Sequence, residues 1–294
     1  MENETNVTAN REYKSTLFCM LFRDRKELLE LYNAVNHSDY TDPEALEIVT
    51  LENAIYMSMK NDLAFLIDTH LNLYEHQSTF NPNMPLRDLL YVAREYQKLV
   101  KDATLYASTL VKIPAPRFIV FYNGLETRPA EEVLRLSDAY HTAEEYPELE
   151  LKVTVLNINA GNNQALLDRC RTLREYMQYV DCVRHYVSMP DMTLDDAVAK
   201  AVDECIEKDI LADFLRRNKA EAMSISIFEY NEVEEKEKIR KAEYNNGVTD
   251  TIQTIVSDYL EEGFSDEKII SKLVTKFHLT EKEAQNCLAA QKNK

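Results

Sequence analysis

Glycine is nearly missing from this chain: four residues in 294, at positions 124, 161, 247 and 263, with none before Gly124. That scarcity excludes the nucleotide and dinucleotide fingerprints, which need clustered glycines to bring backbone close to phosphate. It also disfavours a turn-rich all-β protein. Tryptophan is absent, and 17 tyrosines supply amphipathic packing in its place. No run approaches the roughly 20 apolar residues that span a bilayer. The five cysteines, at 19, 170, 182, 205 and 287, are odd in number and far apart. They form neither a disulfide framework nor a CxxC metal clip. The opening MENETNVTANREYK carries no basic, apolar or small-residue zone of a secretory signal. The expected setting is the cytoplasm, with reduced thiols and no membrane partner.

Positive charge is also in deficit: 34 Lys and Arg against 51 Asp and Glu, a formal charge of −17. That balance lowers the expectation of nucleic-acid binding without excluding a local groove, because net charge and the field in a cleft are different quantities. What is present is 45% hydrophobic and 29% charged residues, the mix of a folded globular protein. The length allows two ordinary domains or one large core with appendages.

Residues 11–36 place Leu17, Met20, Leu21, Leu28, Leu31 and Tyr32 near helical spacing, with Asp24 as the point of interruption. Pro43 opens a short helix over 44–47. The character then changes to Ile, Val, Leu, Phe and Tyr without a helical stripe. Strands are expected at 53–60, 62–67 and 71–77, with a tight reversal at 68–70. Helical periodicity returns over 86–107, with Leu89, Leu90, Ala93, Tyr96 and Val100 as its expected buried face. Strands follow at 117–122, closed by Asn123-Gly124, and at 150–158. The stretch LRLSDAY between them carries no clear signal. Helices are expected at about 163–187 and 193–217, with Thr193 and Asp196 as a capping pair. Ser265 and Thr280 open two further helices near the C-terminus. This order predicts an α/β protein, a mixed β-sheet flanked by helices. Its expected parts are a core domain at 11–218, a charged linker or helix at 219–248 and a small helical module at 249–290.

One local constellation carries chemistry. Asp62 opens a predicted strand, and Glu75 and Gln77 lie on the next strand, two residues apart and therefore on one face. The short reversal brings Asp62 opposite that end of the hairpin. Two carboxylates joined by a carbonyl oxygen can hold a hard divalent cation, Mg²⁺ or Mn²⁺. Such an ion orients water and neutralises charge on a phosphate. On spacing alone, solvated strand-end acids account for the same residues. His76 points to the opposite face, as a packing or hydrogen-bonding residue.

The segment KNDLAFLID…LNLYEHQSTFNPNMPLRDLLY, with RFIVFYNG after it, resembles the Rpn family of recombination-promoting nucleases, also labelled transposases, in the PD-(D/E)XK superfamily. The resemblance covers about residues 11–215. It implies a restriction-endonuclease-like core with a helical C-terminal extension, and metal-dependent hydrolysis of DNA phosphodiesters. In that pattern Asp62 and Glu75 are the metal ligands and Gln77 completes the catalytic set. Superfamily nucleases usually present a lysine where Gln77 stands, and an amide cannot supply full positive charge. Lys60 and Glu52 are supporting candidates, the first as a cation on the Asp62 strand and the second as a third acid. DNA is the implied partner, and self-association is left open. Candidate DNA contacts are Arg87, Arg94, Lys98 and Lys101, the last three recurring at helical spacing. Arg169, Arg171, Arg174 and Arg184 form a second locally basic region. The competing class is a catalytically inactive nuclease-like factor that binds nucleic acid or protein.

Overall fold

The computed structural model describes residues 16–49, 62–101, 103, 105–277 and 279–292. The expected strand over 53–60 therefore lies outside the described residues. The chain divides into two compact units, Met1–Tyr230 and Asn231–Lys294.

The first unit opens with α1 (Leu17–Phe22) and α2 (Arg25–Asn36). Asp24 separates them because its carboxylate caps α2, accepting from the Lys26 and Glu27 amides at 2.8 and 3.4 Å. A 3₁₀ turn at Pro43–Ala45 precedes β1 (Glu47–Ile48), and then the hairpin of β2 (Leu63–Ile67) and β3 (His70–Gln77) follows. The reversal between them turns on Asp68 at φ 51°. In a chain this poor in glycine, positive φ is shared among Gly161, Gly263 and the non-glycine residues His37, Asp68, Asn163, Asp191, Asp209 and Leu211. Asn, Asp and His bear that conformation better than other side chains.

Next come α3 (Met84–Leu99), β4 (Ala115–Tyr122), β5 (Glu131–Arg135) and a 3₁₀ turn at Leu136–Ala139. They are followed by β6 (Lys152–Asn157), α4 (Gln164–Arg169), α5 (Arg171–Val187), α6 (Leu194–Glu207) and α7 (Ala212–Glu261), which is kinked at Asn218 and whose residues after Tyr230 belong to the second unit. Among the described residues, six strands make one mixed sheet in the order β1-β2-β3-β4-β6-β5. β3, β4 and β6 run parallel, while β1–β2, β2–β3 and β5–β6 are antiparallel. The α/β class with helices flanking a mixed sheet is as expected.

Strand alternation divides the core. Tyr74 on β3 and Phe121 on β4 join Phe65 of β2 beneath α1, α2 and the later helices. Leu71, Leu73, Phe118, Val120 and Tyr122 face the other way, against Met84, Tyr91 and Val92 of α3. Each such apolar side chain contributes about 1.5–3 kcal/mol by its burial.

Three expectations need correction. The helix predicted over 86–107 runs from Met84 to Leu99, with Pro85 in its first turn. Its buried face is Met84, Asp88, Tyr91, Val92 and Glu95, whereas Leu90 is 39% exposed and Ala93 is also exposed. Packing has turned two acids inward, and no hydrophobic periodicity reports that. The helix predicted over 163–187 is two helices, because Cys170 takes extended angles of φ −126° and ψ 100°. The helix predicted over 193–217 breaks after Glu207, where Asp209 and Leu211 adopt positive φ.

Thr193 caps α6 as expected, accepting from the Asp196 amide at 3.2 Å. Thr193→Ala should therefore lower the stability of the unit by about 1 kcal/mol, read as a shift in the urea midpoint at constant slope.

The second unit includes α8 (Asp266–Phe277) and α9 (Glu281–Lys292). Its own core joins Ile252, Val256, Ile269, Leu273, Ala284 and Leu288. Thr280 and Glu283 exchange hydrogen bonds as a capping box at the start of α9. Among the described residues no helix is long and apolar enough to cross a membrane.

Candidate active site

Glu75 and Gln77 close β3 on the face that meets α3. β2 and β3 pair Leu63 with Tyr74, so one further step of the register sets Asp62 across from Glu75. The Asp62 carboxylate also accepts from the His76 amide at 2.9 Å, which ties the entry of β2 to the end of β3. The three residues singled out from sequence thus meet at one end of one hairpin. Glu52 and Lys60 lie outside the described residues.

The site is more enclosed than a strand-end acidic pair in solvent. Glu75 is 6% exposed and Gln77 7%. Glu75 Oε1 pairs with Arg87 Nη2 of α3 at 2.8 Å, and that nitrogen also donates to the Tyr91 hydroxyl at 3.1 Å. Glu75 Oε2 is buried with no hydrogen-bond partner. Burial drives the Glu75 carboxyl upward, Arg87 opposes the shift, and the charges of Asp62 and Asp88 reinforce it. Gln77 Oε1 accepts from the Asn81 amide at 3.2 Å. Its Nε2 is oriented to favour the ionised Glu75, yet falls short of hydrogen-bond geometry and has no partner.

Two acids absent from the sequence-based site lie on the same helix. Asp88 is 2% exposed, its Oδ1 is unpartnered, and burial pushes its carboxyl up to about 8, with Arg87 opposing. Glu95 is fully buried and pairs with Lys98 at 2.8 Å. The signal that could have found them is their place in the stripe 84, 88, 91, 92, 95, which holds only if two acids are allowed inside.

His76 points away from Glu75, as expected. Its ring stacks on Phe18 at 5.2 Å and its Nε2 meets the Tyr176 hydroxyl at 3.0 Å. Burial holds its pKa down at about 4. Tyr122 and Asn123 support the sheet end: Asn123 donates its amide to Gln77 O at 3.0 Å, and the Tyr122 hydroxyl donates to Glu126 O at 3.1 Å.

Among the candidate DNA contacts, Arg87 is turned inward onto Glu75, while Lys98 stays exposed and pairs with Glu95. Arg94 is partly buried and Lys101 exposed. The second basic region is engaged within the protein. Arg169 pairs with Asp39, Arg171 with Glu175, Arg174 with the Leu167 carbonyl, and Arg184 with Asn159 and the Asn123 carbonyl.

Whether these residues suit a divalent cation turns on their chemistry. Among the described residues no group of three or more His, Cys, Asp or Glu side chains is disposed to hold a metal ion. Mg²⁺ keeps several waters and is often held by one or two carboxylates. Asp62 and Glu75, two acids close enough for the charge of one to raise the pKa of the other, with Glu75 Oε2 buried and unpartnered, fit that requirement. Comparisons with protein-family models, curated proteins and solved structures find no match to this chain.

Proposed function

We propose that this chain is an Rpn-like, divalent-cation-dependent endonuclease that hydrolyses DNA phosphodiester bonds, with a link to recombination or mobile elements. The observation that carries the reading is Glu75 Oε2: a buried carboxylate oxygen without a partner, on a strand end facing a second acid. Leaving such an atom unpaired costs about 1–3 kcal/mol or more, a cost that a cation would offset. Asp62 and Glu75 are the residues that would hold Mg²⁺ or Mn²⁺. When bound, the ion supplies charge neutralisation at a phosphate and a lower pKa for water. Gln77 contributes a neutral donor through Nε2, which can orient a phosphate oxygen or a water but cannot take a proton. The α3 wall excludes bulk water from Glu75 and so strengthens every charge interaction there.

The second reading is a nuclease-like factor without catalysis that binds nucleic acid or protein. The Arg87–Glu75 pair favours it, because an internal guanidinium already answers part of the carboxylate charge.

Cleavage of plasmid and single-stranded DNA with Mg²⁺ or Mn²⁺ separates the two. Wild type should cut, while Asp62→Ala and Glu75→Ala should fold and lose cation-dependent cutting. Equal cleavage by the folded variants would remove the proposed site. Absence of cation-dependent cleavage by wild type would favour the binding factor.

A further inference from the structure

We infer that Arg87 is a positioning residue: it fixes Glu75 Oε1 from the α3 side and thereby presents Oε2 to a divalent cation. The inference deepens, and rests on, the cation-dependent reading above. Arg87 precedes Asp88 in the first half of α3 and reaches back to β3. Its Nη2 lies 2.8 Å from Glu75 Oε1 and 3.1 Å from the Tyr91 hydroxyl, which follows one helical turn later. One nitrogen is therefore held between the carboxylate and a second acceptor on a rigid helix. The guanidinium is planar and keeps its donors in a fixed fork, so this anchoring sets the plane of its contact with Glu75. The two carboxylate oxygens then differ: Oε1 is engaged and Oε2 is bare, and both belong to a side chain that is 8% exposed.

A carboxylate held in this way has lost the rotation that would let it turn both oxygens into the helix. Outer partners of this kind typically change metal affinity by 10–100-fold when removed. The role is also distinct from phosphate contact, which would require the guanidinium to face solvent. The Arg87 side chain is only 27% exposed. A guanidinium that merely competed for the site would have the opposite sign, since its removal would tighten binding of a dication.

The test is calorimetric titration of the full-length protein with Mn²⁺ alone, at one pH and ionic strength. Wild type should bind. Arg87→Met should weaken binding by about 10–100-fold, and Arg87→Lys, which keeps the charge but not the fork, should fall between them. Tyr91→Phe keeps the ion pair and the packing while removing the second anchor. It should weaken Mn²⁺ binding by up to about tenfold with its unfolding midpoint close to wild type, which separates positioning from general stability. If Arg87→Met does not fold, Arg87→Lys and Tyr91→Phe decide the matter. Wild-type or tighter affinity in those variants overturns the positioning role and leaves the cation site standing. No Mn²⁺ binding by wild type overturns the cation reading, and this inference with it.

Discussion

Asp88→Asn should abolish the loss of stability that wild type shows between pH 6.5 and 8, and below pH 6.5 it should leave the opposing His76 slope uncompensated. The Asp88 carboxyl is 2% exposed, carries an unpartnered Oδ1 and is held at about 8 by burial, against about 3.9 in an unfolded chain. A folded pKa above the unfolded one means that the native state binds the extra proton. The stability it contributes is fully present below about pH 4 and is lost as pH rises through 8. His76 works in the other direction. Its folded pKa of about 4 lies below the usual value of about 6.5, so its contribution is present above pH 6.5 and is lost as pH falls towards 4. Between about pH 4 and 6.5 the two slopes oppose each other. Above that window only Asp88 of the pair still titrates.

Wild type should therefore lose about 2 kcal/mol between pH 6.5 and 8 through Asp88 alone, and roughly twice that between pH 5 and 8. The variant should lack that slope, while an asparagine of the same shape fills the same buried volume. Urea unfolding followed by tyrosine near-ultraviolet dichroism at pH 5, 6.5 and 8 measures it. Parallel wild-type and variant curves across that range would show that Asp88 is ionised in the native state.

Asp88 also marks the boundary of what the sequence could reveal. The hairpin was legible because strand alternation is a local property. Once 62–67 and 71–77 are strands, Glu75 and Gln77 must share a face and Asp62 must face their end. The caps at Thr193 and Thr280 were legible for the same reason: each answers to an amide three residues away. The inward face of α3 was not legible, because burying Asp88 and Glu95 depends on Arg87, on Lys98 and on the sheet beneath them. Hydrophobic periodicity counts such acids as solvent-facing by default, and so it rotated the expected face towards Leu90 and Ala93. The helix breaks at Cys170 and Asp209 were hidden differently. Neither glycine nor proline marks them: Cys170 breaks the helix in an extended conformation, and the left-handed positions after Glu207 are filled by Asp209 and Leu211. The basic residues show a related limit. Composition located Arg87 and Lys98 on one helix, but only tertiary packing shows that each answers a buried acid.

Gly124→Ala should destabilise the first unit by about 2–4 kcal/mol, the upper part of the range for overpacking. A Cβ at Gly124 would lie 2.4 Å from the Tyr122 hydroxyl oxygen, 2.6 Å from the Ser78 carbonyl oxygen and 2.6 Å from the Tyr122 ring. Neither neighbour can yield cheaply. Tyr122 is fully buried with its hydroxyl bonded to the Glu126 carbonyl, and Ser78 is backbone that directly continues β3. The Gly124 carbonyl itself accepts from Asn159 Nδ2 at 3.0 Å, and the Asn123 amide donates to Gln77 O at 3.0 Å, so this end of β4 is held on both sides. Relief must come from moving the ends of β3 and β4 apart, and the residue beside the displaced Ser78 is Gln77. If the proposed cation site is real, the variant should therefore weaken Mn²⁺ binding as well as stability. Gly161→Ala is the matched control: it sits at φ 83° with nothing within 4 Å of an added Cβ, so its cost is conformational alone, about 1–2 kcal/mol. Urea midpoints should rank wild type above Gly161→Ala above Gly124→Ala, with Mn²⁺ affinity reduced only in the last. A Gly124→Ala protein with wild-type midpoint and affinity would mean that the β3 and β4 ends separate freely, and that Gln77 is not held in place by the turn behind it.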